Sequence, residues 1–245
     1  MKVIALIIFL SLSAQSISQQ NDTYYTFNSE WKPSTVESAK YLIHIHKISD
    51  TCWQWDFYNI FGPLLRTEQY RNHDGGGMDG ICRHYNETGY LDSTSMYRRG
   101  KKNGDFFKIA GDNKRNPKLR YRYKDDSLIE VLDFDKQPRD SLVKYGDERE
   151  SEYQGGVNQW KNYLKKNLVY PQRAINSNMD GDVRVGFTVD TAGRVQDLFI
   201  SKSVEYSLDE ESLRIIRESG KWNPAFQNWK FVKSYKDQPI SFRYK

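Results

Sequence analysis

Hydrophobic positions in this chain follow two periods, and the changes between them mark out its elements. In "NQWKNYLKKNL", Trp160, Leu164 and Leu168 recur every four residues with Tyr163 beside them. That spacing predicts one apolar stripe on a helix. Tyr170-Pro171 ends it, because the residue before a proline disfavours the helical region. Pro171 then sits in the first turn of a short second helix, "PQRAINS". "GDVRVGFTVD" alternates, so Val183, Val185, Phe187 and Val189 share one face of a half-buried strand. Thr191-Ala192-Gly193 turns the chain and "RVQDLFISKS" returns as a second, antiparallel strand. Ser207-Leu208-Asp209-Glu210 reads as a capping box opening a helix with Leu208, Leu213 and Ile216 buried. Gly220 stops that helix. A final strand runs from Ile240 to Tyr244.

The first half has a different rhythm. Tyr41, Ile43 and Ile45, with Lys47, alternate as one strand within Asn21–Thr51. Beyond it the chain repeats itself. Tyr58-Asn59 recurs as Tyr85-Asn86, Gly62 as Gly89, Leu64 as Leu91, Thr67 as Thr94 and Tyr70-Arg71 as Tyr97-Arg98, all at one offset of 27 residues. A looser third copy runs from Gly104 through Phe106-Phe107 to Leu119, Tyr121 and Tyr123. Each unit is a short aromatic run, a glycine turn, a second run and a polar turn, which is the chemistry of a β-hairpin. One such hairpin cannot close a core, so the copies must stack.

The predicted fold class is therefore α+β. An all-β antiparallel hairpin-repeat domain, 21–131, precedes a domain, 154–245, of a three-stranded antiparallel sheet with helices on one face. The polar stretch 132–153, with Pro138 and Gly146, is the expected linker.

Composition adds three constraints. Hydrophobic content is low at 38%, yet aromatics reach 14%, with 17 tyrosines and 6 tryptophans, which argues for a small aromatic-rich core rather than disorder. The net charge of +5 comes from lysines and arginines spread along the chain, so a nucleic-acid partner is not expected. Lys2, the apolar run Val3–Leu12 and the small residues after it have the layout of a secretory signal, 1–18, cut after Ser18 or Ser16. Ten apolar residues are half of the roughly 20 that span a bilayer core. The expected location is the periplasm, with an uncleaved N-terminal anchor as the alternative. Cys52 and Cys82 then meet an oxidising compartment, where they either pair in a disulfide or, as Cys52 beside Trp53 and Trp55 suggests, stay free and buried.

The residues "GG…YL…NL.YP..A", "G.V.V.F.V...G.V", "W.PA" and the closing "P..F" of 154–245 together resemble the TonB C-terminal domain family. The repeats of 57–131 resemble MORN-type hairpins, also called YwqK-like. The first resemblance implies a periplasmic binding domain that engages a TonB-dependent outer-membrane receptor, or another envelope protein, by adding the partner's TonB-box segment to a sheet edge. The edge residues it implies are Ile240, Ser241, Phe242, Arg243 and Tyr244, of which Ile240, Phe242 and Tyr244 serve core packing equally well. The alternative is an envelope scaffold binding through its repeats. A homodimer is left open. TonB also has a membrane helix engaging the ExbB–ExbD motor and a proline-rich spacer. Here the apolar run is short, 7 prolines are scattered, and "KNLVYP" replaces the glutamine-proline variant of the family pattern.

No catalytic grouping is found. His44-x-His46 has ligand-like spacing, with His73 and His84 elsewhere, but no accompanying cysteine or carboxylate pattern, so neither metal nor cofactor is expected. "HDGGGMDG" lacks the lysine of a phosphate loop, and no G-x-S-x-G is present. An enzyme is not expected.

Overall fold

The computed structural model describes residues 22–109, 117–136, 149–227 and 230–243, and for Asp135 the backbone alone. The expected signal segment, 1–18, and Tyr244 lie outside the described residues. The chain divides into two compact units, with the division after Lys136.

The first unit is one antiparallel sheet. Its strands are β1 (Thr23–Phe27), β2 (Tyr41–Ser49), β3 (Cys52–Asn59), β4 (Leu64–Tyr70), β5 (Gly80–Tyr85), β6 (Leu91–Arg98), β7 (Lys101–Lys102), β8 (Gly104–Ile109), β9 (Pro117–Lys124) and β10 (Ser127–Asp133). Sequential strands are neighbours throughout, except that β6 pairs with both β7 and β8. Where alternation predicts one strand before the repeats there are two: β1 lies antiparallel on β2, from Thr23 opposite Ile45 to Phe27 opposite Tyr41. "TYYTF" has no polar–apolar alternation, and tertiary pairing alone makes it a strand.

The repeat is geometric as well as textual. Asn59 N–H donates to the Pro63 carbonyl and Gly62 N–H to that of Asn59. One period later Asn86 N–H donates to Tyr90 and Gly89 N–H to Asn86. The two hairpins share a register, with Trp53 opposite Tyr70 and Gly80 opposite Tyr97. Both carry an irregularity just before the repeated tyrosine, at Phe57/Tyr58 and at His84/Tyr85. The third hairpin places Gly104 opposite Tyr123. One face packs Ile43, Ile45 and Phe57 with Tyr25, Phe27, Trp53, Trp55 and Leu65.

In the second unit β11 (Glu152–Tyr153) is followed by α1 (Gly156–Asn167), α2 (Gln172–Asn176), β12 (Gly181–Val189), β13 (Val195–Lys202), α3 (Tyr206–Arg217), β14 (Trp222–Asn223), β15 (Ala225–Gln227), β16 (Lys230–Val232) and β17 (Ser234–Phe242). β13, β12 and β17 form the three-stranded antiparallel sheet in that order, β11 pairs with β14, and β15 with β16. α3 packs on β12 and β13. Val183, Val185, Phe187 and Val189 are all fully buried, as are Leu208, Ile215 and Ile216 of α3.

Four local expectations shift. The α3 stripe uses Ile215 in place of Leu213, which is only half-buried. The cap of α3 is Glu205, not Ser207: its carboxylate accepts from the Ser207 N–H at 2.8 Å and the Ser207 hydroxyl at 2.6 Å, with Arg173 as a third donor. The helix starts two residues earlier than expected, and Asp209 is buried within its first turn. The linker region 132–153 is shorter at both ends, since β10 runs to Asp133 and Arg149, Glu152 and Tyr153 pair with Phe226, Asn223 and Trp222. Finally, the closing strand begins at Ser234 because it pairs along the whole of β12.

Cys52 and Cys82 are free thiols. Cys52 lies on β3 and Cys82 on β5, with β4 between them. Two strand spacings make about 10 Å, beyond the roughly 7 Å that a disulfide bridges.

Candidate partner-binding edge

β17 has one strand neighbour among the described residues, β12, so its far side is a sheet edge. Nine consecutive pairs, Gly181–Phe242 through Val189–Ser234, run without a register shift. The other edge, β13, shifts register twice along β12 and holds Asp197 at φ 55°. Bulged edges twist away from incoming strands, whereas a straight edge is a template for one. β17 is therefore the straighter of the two edges.

Which backbone groups it offers follows from Pro239, which stands opposite Arg184. A proline cannot exchange both hydrogen bonds of a ladder pair, so this pair is the non-bonded kind. Pairs alternate along the ladder, so residues 234, 236, 238, 240 and 242 bond to β12. The N–H and C=O groups of Tyr235, Asp237, Ser241 and Arg243 then point to the edge, with Pro239 offering a carbonyl only.

Side chains divide in the other direction. Ile240 and Phe242 are 0% and 1% exposed and face the helical side with Val183 and Val185. Phe242 meets Tyr170 edge-on, with centroids 5.6 Å apart. These two are core residues, and their backbone groups bond to β12, so neither presents a group to the edge. Ser241 and Arg243 are exposed, and both donate to Asp182, at 2.6 Å from the hydroxyl and 2.7 Å from the guanidinium. The Ser241 bond and then the Arg243 charge hold the Asp182 carboxyl below the usual range. They pin the end of the strand.

The outer face of the sheet carries an ion pair and an aromatic pair that join neighbouring strands. Arg184 Nε donates to Asp237 at 2.8 Å, and the Ser201 hydroxyl donates to the same carboxylate. Phe199 and Tyr235 stack with centroids 6.3 Å apart and planes 23° apart. Gly186 lies beneath them: a Cβ there would stand 2.5 Å from Phe199 Cζ and 2.8 Å from Tyr235 Oη. The β12 alternation implies this face, 182–184–186–188, but not its cross-strand partners. The hairpin below it is fixed by Asp190, whose carboxylate accepts from the Ala192 and Arg194 amides at 2.9 Å, with Gly193 at φ 78°.

Among the described residues, the groups close enough to share a metal ion are Asp22, His44 and His46, in the N-terminal sheet. No helix among the described residues is long and apolar enough to cross a membrane.

Comparison with known proteins gives the second unit its relatives. Residues 166–244 match the family "Gram-negative bacterial TonB protein C-terminal". A solution structure of the Helicobacter pylori TonB C-terminal domain is similar at 24% identity, covering 38% of this chain and 89% of that one, with a TM-score of 0.31. No curated protein matches the chain.

Proposed function

We propose that the C-terminal unit is a TonB-like capture domain acting in envelope transport. On this reading it works in the periplasm of a Gram-negative cell. It takes the extended TonB-box segment of a TonB-dependent outer-membrane receptor as a fourth strand alongside β17. The observation that carries this is the straight nine-residue edge of β17, whose outward backbone groups suit β-augmentation. The family match over 166–244 supports the same reading. Affinity would come from the backbone of Tyr235, Asp237, Ser241 and Arg243, and selectivity from Ser241 and Tyr235, which flank the edge.

Amide hydrogen exchange on the full chain, with and without synthetic TonB-box peptides, tests it. The expected result is slowed exchange at Tyr235, Asp237 and Ser241. Unchanged exchange along β17 at millimolar peptide sinks the proposal.

A second reading is an envelope scaffold that works through its hairpin sheet. It draws on β10, which has one strand neighbour among the described residues and leaves Leu128, Ile129 and Val131 at 52%, 59% and 53% exposure. Such an edge is a template for another strand, including that of a second copy. Sedimentation of the full chain and of Ile129→Lys decides. A dimer lost in the variant favours it, and a monomeric wild-type chain removes the homodimer.

A further inference from the structure

One face of the N-terminal sheet gathers nitrogen and carboxylate donors from three adjacent strands. His44 and His46 alternate along β2, so both project from the same face. Asp22 precedes β1 directly, and the register that sets Tyr24 opposite His44 brings it beside His46. One donor atom from each of Asp22, His44 and His46 lies within 4.8 Å of the others. Asp22 Oδ1 is 3.7 Å from His44 Nε2. From the next strand, Asp56 stands opposite His44 and puts Oδ2 3.3 Å from His46 Nε2.

The surroundings hold these groups in place. The Tyr24 ring stacks on His44 at 4.6 Å with planes 4° apart. His44 and Asp56 are buried. Gln54 Nε2 donates to Asp56 Oδ1 at 2.8 Å, leaving Oδ2 turned toward His46. Outer hydrogen bonds of this kind orient metal ligands. Asp22 is exposed, which gives the site a way in from solvent.

From this geometry we infer that Asp22, His44 and His46 bind a divalent transition cation of the zinc type, with Asp56 as the fourth ligand or as the group that orients His46. Two imidazoles with one or two carboxylates make a borderline donor set that suits zinc, cobalt or nickel. Calcium and magnesium call for all-oxygen shells. Ligand atoms about 2.0–2.2 Å from a tetrahedral ion stand roughly 3.3 Å apart. Rotations of side chains already within 4.8 Å close the set. The ion would fasten the first strand to β2 and β3, a structural role independent of the edge at β17. His44-x-His46 stands in the sequence without a neighbouring carboxylate pattern. The carboxylates come from separate segments and meet the histidines only through strand pairing.

The test uses the untagged, full chain, stripped with chelator and titrated with zinc chloride alone by calorimetry. Cobalt(II) uptake is followed in parallel by visible absorption. One equivalent of zinc per chain is expected, with the intense cobalt bands of a four-coordinate site. Asp22→Asn and His46→Gln should each weaken uptake about tenfold or more, while His84→Gln leaves it unchanged. Asp22 is exposed, so its variant folds whatever the fate of the buried positions, and circular dichroism verifies this. The inference fails if the wild-type chain shows no saturable uptake. It fails equally if uptake survives in both ligand variants, or if it falls in His84→Gln as well.

Discussion

Pro239 stands directly opposite Arg184 in the ladder between the last strand of the chain and its neighbour. This one pairing sets the facing of every backbone group in β17, because a proline can occupy only the non-bonded kind of pair. It leaves the alternate residues Tyr235, Asp237 and Ser241 with their amides toward the edge.

The first prediction uses that facing. Ser241→Pro removes an outward amide and the hydroxyl that reaches Asp182 but no backbone bond to β12, whereas Ser241→Ala removes the hydroxyl alone. Peptide binding should fall markedly in the proline variant and little in the alanine one, with both chains folded. Equal loss in the two variants would assign the effect to the hydroxyl instead. Titration calorimetry with a TonB-box peptide reads the difference.

Gly186→Ala should destabilise the second unit by about 1 kcal/mol, the low end of overpacking. The new methyl meets the far ends of the Phe199 and Tyr235 rings, which can swing outward. Urea unfolding followed by tryptophan fluorescence measures it. The rings' displacement should also raise the exposure of Tyr235 to chemical nitration.

Asp209 supplies a pH dependence. Its carboxyl is buried, accepting from the Ser203 hydroxyl at 2.5 Å and the Val204 amide at 3.1 Å. Burial raises its pKa well above the usual carboxylate range, against the pull of those two bonds. The folded unit therefore binds this proton more tightly than the unfolded chain does. Its contribution is fully present below the ordinary aspartate value of about 3.9 and is lost as pH rises toward the folded value. Asp209→Asn has no such proton to lose. The stability of the variant relative to wild type should rise steadily with pH in urea titrations, and a flat difference would contradict the raised pKa.

The two cysteines should stay unpaired and differ in reactivity. Burial, then the Glu68 charge, pushes the Cys82 thiol up to about 11. Cys52, also raised but half-buried, is the more accessible. Iodoacetamide on the native chain should label Cys52 first, and Cys82 mainly after unfolding. A Cys52–Cys82 disulfide found in peptide mapping would contradict the strand register.

What was legible in the sequence follows from the reach of each signal. Val183 to Val189 could be read directly because one face of β12 is dry and the other polar, which forces a two-residue period. The 27-residue offset could be read because each copy must rebuild the same turn, and the turn hydrogen bonds at Asn59 and Asn86 show it doing so. The burial of Ile215 rather than Leu213 is set by how α3 packs on β12 and β13, and its cap Glu205 is held by Arg173 from another helix, neither of which a local pattern carries. β1 was missed because its strand character comes from β2 alone.

The sequence by itself determined the α+β order of elements and the dry face of β12. These depend on side-chain period and backbone chemistry over a few residues. Only the tertiary structure decided that Ile240 and Phe242 turn inward while Ser241 faces out to Asp182, and that Asp22 and Asp56 meet the two histidines. Those outcomes rest on register between segments far apart in the chain, where hydrogen bonding across strands, not local preference, chooses which residues become neighbours.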